Sequence, residues 1–63
     1  MYYIGTKQQC EIYLAFVNQE TNMANGDTWA TPQECVDGRW AIFKHGGFIS
    51  SAMQEVSNPE FKI

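Results

Sequence analysis

Two tryptophans, Trp29 and Trp40, share one stretch with two of the chain's four basic residues, Arg39 and Lys44, and with its only histidine, His45. Indole faces stack on nucleobases, each stack being worth ~1–3 kcal/mol. A guanidinium grips phosphate with a planar fork, and a lysine acts as a point charge. Tyr2 or Tyr3 would join them if the first strand enters the same sheet. The set Trp29, Trp40, Arg39, Lys44, His45 and Tyr3 therefore describes a site for a small anionic ligand of nucleotide type. The same aromatics would equally fill a core or a subunit interface, where aromatic residues are enriched. Residue type alone leaves both accounts open.

Other chemistries have less to build on. Cys10 or Cys35 with His45 would make a thiol nucleophile and its base, but no spacing brings them together. Free cysteine is more often a buried hydrophobe. Two cysteines and one histidine, without a C-x-x-C pair, match no zinc pattern. Glu34, Asp37, Glu55 and Glu60 read as solvated surface. No glycine-rich phosphate loop of the P-loop or dinucleotide type is present. The expectation is a protein that is not an enzyme and takes no metal or cofactor.

Residues 28–45 must position the set. Asp37-Gly38 suits a two-residue type I′ hairpin turn, which needs positive φ at both central positions. Residues 39–45 are rich in aromatic and β-branched side chains, as a central strand is. With that turn, Val36 faces Arg39, Cys35 faces Trp40, Gln33 faces Ile42 and Thr31 faces Lys44. Alternation then places Trp29, Thr31, Gln33, Cys35, Trp40, Ile42 and Lys44 on one face. Ala30, Pro32, Glu34, Val36, Arg39, Ala41, Phe43 and His45 fall on the other, whose smaller residues suit a close helix. Pro32 lacks a donor, so the first arm reads as an edge or bulged strand.

Residues 1–4 read as a short strand ended by Gly5. Thr6 with Gln9 matches a capping box. Over residues 7–19, Cys10, Tyr13, Leu14 and Val17, with Ile12 and Phe16 beside them, make one broad helical face. Residues 20–27 read as a loop with Asn25-Gly26-Asp27 turn chemistry. Gly46-Gly47 ends the strand, either as a plain loop or as a lip where backbone approaches a ligand. Residues 48–56 fit a short helix or irregular segment slightly better than a strand. Asn58-Pro59-Glu60 is a turn, after which Phe61 and Ile63 tie the tail down by packing.

The predicted architecture is a single α+β domain over residues 1–63. One N-terminal helix packs on a small antiparallel sheet, in the order β-α-β-β plus an irregular C-terminal segment. One helix covers one face. The face bearing both tryptophans needs another cover, and a second copy of the chain is the simplest, giving a homo-oligomer. The competing cover is the C-terminal segment folding back.

Composition sets the remaining bounds. A 63-residue chain buries only ~60% of its unfolded surface, so it gains from oligomerisation. The net charge of −3 and four basic residues argue against long nucleic acid, which needs many phosphate contacts. Two cysteines are too few for a secreted disulfide scaffold. The start at Met1 lacks a signal-peptide pattern and no stretch is apolar enough to span a membrane. A cytoplasmic protein with free thiols is expected.

The pattern Tyr2-Tyr3-Ile4-Gly5-Thr6-Lys7, a helix containing Tyr13, Trp29-Ala30, then Asp37-Gly38-Arg39-Trp40-Ala41-Ile42 and His45 resembles a group of very small proteins encoded by tailed bacteriophages. The likeness runs over most of the chain through short motifs. It implies a source and a compartment, the cytoplasm of an infected host bacterium. Small cytosolic phage proteins include inhibitors of host defence, and some are oligomeric sponges for cyclic or modified nucleotide signals. A sponge needs an oligomer, an aromatic platform and a few cations, the inventory found above. The expectation is thus a non-enzymatic anti-defence protein that sequesters a small nucleotide signal. The alternative is a protein–protein inhibitor of a host defence protein, or a virion accessory protein, capping its partner with the same aromatic face. The charge of −3 repels anions at long range and favours that alternative.

Overall fold

The computed structural model describes residues 1–21 and 31–63. Residues 22–30, with Trp29 and most of the expected loop, lie outside the described residues. The order is β1 (Tyr2–Gly5), α1 (Lys7–Thr21), β2 (Gln33–Glu34), β3 (Trp40–Phe43) and β4 (Gln54–Val56). The strands form one antiparallel sheet in the order β2-β3-β1-β4, and α1 packs on one face. This is the expected α+β architecture with one strand more. Residues 54–56 are strand because β1 has two edges. β3 takes one, and the pairs Tyr2↔Val56, Tyr3↔Glu55 and Ile4↔Gln54 satisfy the other.

The capping box forms as expected. Gln9 N–H donates to Thr6 Oγ1 at 3.1 Å, and Thr6 N–H donates to Gln9 Oε1 at 2.9 Å. α1 then buries Cys10, Tyr13 and Val17 against Tyr3 and Ile42, with Leu14, Trp40, Phe48 and Met53 packed around them. Its buried stripe is narrower than expected. Ile12 and Phe16 lie roughly 100–140° around the helix from the stripe's centre, at 100° per residue, and are 63% and 55% exposed.

The hairpin register differs from the expected one by a single residue. Gln33 pairs with Ala41 and Glu34 with Trp40. Cys35 N–H donates to Arg39 O at 2.7 Å, and Gly38 N–H donates back to Cys35 O at 3.0 Å. Gly38 has φ +88°. The loop therefore holds three residues, a tight turn closed by glycine in left-handed backbone, and not a two-residue type I′ turn. Asp37 favours it locally: Arg39 N–H donates to Asp37 Oδ1 at 3.0 Å. A one-residue slip moves every side chain of one arm to the other face. Glu34 joins Trp40, Ile42 and Lys44 on the helix side. Gln33 and Cys35 join Ala41 and Phe43 on the other.

The helix also covers the opposite face to the one expected. α1 lies on the face of Trp40, so a second copy is not needed there. The opposite face carries a smaller cluster of Ile4, Cys35 and Ala41 with Tyr2, Val56 and Phe61. The C-terminal tail covers it: Phe61 bridges Cys35 along the outer edge of β2. Phe61 ties the tail down as expected, whereas Ile63 is fully exposed.

Candidate functional site

Among the described residues, those expected to bind an anion do not converge on one site, although Lys44 and Tyr3 meet. Trp40 and Lys44 share the helix face, but four residues of extended chain separate them by roughly 13 Å, with buried Ile42 between. Arg39 lies at the turn, and its side chain is taken by Asp37, with Nη2 at 2.7 Å and Nε at 2.8 Å from Oδ2. This partner holds the Asp37 carboxyl below its ordinary range and raises the guanidinium. Lys44 Nζ bonds Glu55 Oε1 at 2.6 Å and lies 5.7 Å above the Tyr3 ring. Its hydrogen bond to Glu55 raises the ammonium pKa. Lys62 Nζ is 3.7 Å from Glu34. Three of the four basic residues thus carry a carboxylate partner. The fourth, Lys7, sits over Trp40 at 5.1 Å from the ring centre, a cation–π contact that strand alternation could not reveal.

Tyr3 is 2% exposed and offers no stacking face without unpacking the core. Its hydroxyl has a different task. It donates to Phe48 O at 2.9 Å and accepts from Ser50 N–H at 3.2 Å. The Tyr13 hydroxyl accepts His45 N–H at 2.9 Å, and Gln9 Nε2 donates to Ala52 O at 3.2 Å. Three side chains from β1 and α1 therefore peg the backbone of residues 45–52. Gly46, at φ +49°, makes the turn that Phe48 N–H closes onto His45 O. A Cβ on Gly46 or Gly47 would meet no atom of the chain within 4 Å, so within the chain it is the positive φ that asks for glycine at Gly46. The His45 ring lies 5.3 Å from that of Phe48.

The pegged segment and the outer flank of α1 enclose a groove of about 290 Å³. Ile12, Phe16, Phe48, Ile49 and Ala52 give it an apolar lining, with Gln9, Ser50 and Ser51 at its polar margin and no charged residue among the described ones. Phe16 and Phe48 meet edge to face at 5.9 Å, and Ile49 is 85% exposed. Sequence reasoning missed this site. Its signal was the pair Ile12 and Phe16, one helical turn apart and too far round to share the core stripe.

The thiols are poorly suited to catalysis. Burial, then the nearby Cys35 and Glu11, push Cys10 up to about 11, and burial also raises Cys35. Both stay protonated near neutral pH, and the thiolate is the nucleophile. Among the described residues no three of His, Cys, Asp and Glu gather as a metal set, and no helix is long and apolar enough to cross a membrane. No protein-family model, curated protein or solved structure matches this chain.

Proposed function

We propose that this chain is a non-catalytic binding protein that occupies another protein through the groove between α1 and residues 48–52. The observation that carries this reading is a pre-set apolar groove beside a surface whose cations are already engaged. A dry apolar cavity of ~150 Å³ holds a benzene-sized ring, so about 290 Å³ suits one or two bulky apolar side chains of a partner. The uncharged lining calls for an aliphatic or aromatic anchor, as in helix-in-groove recognition. The net charge of −3 calls for basic or neutral surroundings on that partner. In the infected cell that the phage resemblance suggests, the partner would be a host defence protein or a virion component.

Nucleotide sequestration is the competing outcome. An anion reaching Arg39 or Lys44 would have to displace Asp37 or Glu55, which weakens that reading. Capture from infected-cell lysate with tagged wild type, Phe16→Ser, and Trp40→Ala with Lys44→Ala separates the two. A stoichiometric protein lost only with Phe16→Ser is expected. A small molecule released on denaturation from wild type, and absent from the Trp40/Lys44 variant, would establish sequestration instead. Phe16 is about half exposed and meets Phe48 edge to face, so its substitution should cost only ~1–2 kcal/mol and leave the protein folded.

A further inference from the structure

The path of the C-terminal tail is constrained by reach. Val56 ends β4 on one edge of the sheet, and Phe61 bridges Cys35 outside β2 on the opposite edge. Val36 N–H donates to Glu60 O at 3.0 Å, and Lys62 N–H donates to Glu34 O at 2.8 Å. Residues 60–62 are therefore a fifth strand in all but length. In a flat sheet, four spacings of ~4.8 Å would hold that strand ~19 Å from β4. Five residue steps reach at most ~18 Å when fully extended, and bends at Ser57 and Asn58 shorten them. The tail reaches its place only because the sheet curls toward it. A solvent-open pocket of about 320 Å³ lies beside the strap, between Ile4, Val56, Asn58 and Pro59 and the turn residues Asp37 and Arg39.

We infer that residues 60–63 exchange between two copies of this chain, each tail pairing with the other copy's β2 and seating Phe61 against its Tyr2. The slot itself specifies the occupant. The same segment already fills it within one copy, with Phe61 packed on Ile4, Cys35 and Ala41 and its ring 5.4 Å from that of Tyr2. Every one of those contacts can form between copies. Only the strap changes, since it no longer has to span one copy's sheet. The connection is only a few residues long, the setting in which such exchange is favoured, and a reciprocal exchange closes as a two-fold dimer. The slot lies on the face away from α1, so this association is independent of the groove and can coexist with a partner there.

The test is a cysteine pair, Val36→Cys with Glu60→Cys, in the full chain. Both positions are exposed and lie side by side across the tail contact, while Cys10 and Cys35 are buried. Oxidation should give a covalent dimer whose yield rises with protein concentration. Inserting Gly-Ser-Gly after Asn58 lengthens the strap and should lower that yield. An intrachain disulfide alone at every concentration overturns the inference, as does a dimer yield indifferent to the insertion. Light scattering on the chain without added cysteines gives a second readout. A dimer mass that the insertion reduces to a monomer supports exchange, and a monomer mass with and without the insertion refutes it.

Discussion

Replacing Tyr3 by phenylalanine removes one oxygen and keeps the ring. The ring stays in T-shaped contact with Tyr13 at 5.1 Å, so the change isolates the hydroxyl. That hydroxyl holds the carbonyl of Phe48 and the amide of Ser50. At ~0.5–1.5 kcal/mol for each hydrogen bond, Tyr3→Phe should destabilise the fold by about 1–3 kcal/mol. For a domain of this size each kcal/mol lowers Tm by roughly 4–8 °C. Urea unfolding gives the stability, and amide hydrogen exchange gives its location. In Tyr3→Phe the Ser50 amide should lose protection while the His45 amide keeps it. Tyr13→Phe should do the reverse, because its hydroxyl accepts His45 N–H. Groove binding should weaken in both, since both loosen the lip. A Tyr3→Phe protein with stability within about 0.5 kcal/mol of wild type and an unchanged Ser50 amide would refute the pegged lip.

Gly38→Ala meets no atom within 4 Å but must hold φ +88°, so urea denaturation should show a purely conformational loss of ~1–2 kcal/mol. Cys10 gives stability a pH dependence. Its folded-state pKa, about 11, is raised above the ordinary 9.0, so the folded protein holds the proton more tightly than the unfolded chain. The contribution is complete below about pH 9 and is lost as pH rises through about 11. Denaturation midpoints across that window should fall more steeply for wild type than for Cys10→Ala, and parallel curves would count against this.

Much of the fold is legible in local sequence. Thr6 and Gln9 cap α1 through atoms three residues apart, and the apolar spacing over residues 10–17 marks an amphipathic helix whatever lies opposite. Asp37-Gly38 marks a hairpin because only a left-handed residue closes so tight a turn. The candidate site was far less legible. Whether the loop holds two residues or three depends on which arm positions find cover, and that single residue moved Cys35 off the Trp40 face. β4 and the tail strand are strands because β1 and β2 have open edges to satisfy, a need that residues 54–62 do not carry in their own types. The groove and its tyrosine pegs join residues more than thirty positions apart. Periodicity reports which side of an element is apolar. Only the tertiary structure, by covering Cys10 and leaving Phe16 bare, decided which apolar side is core and which remains to bind.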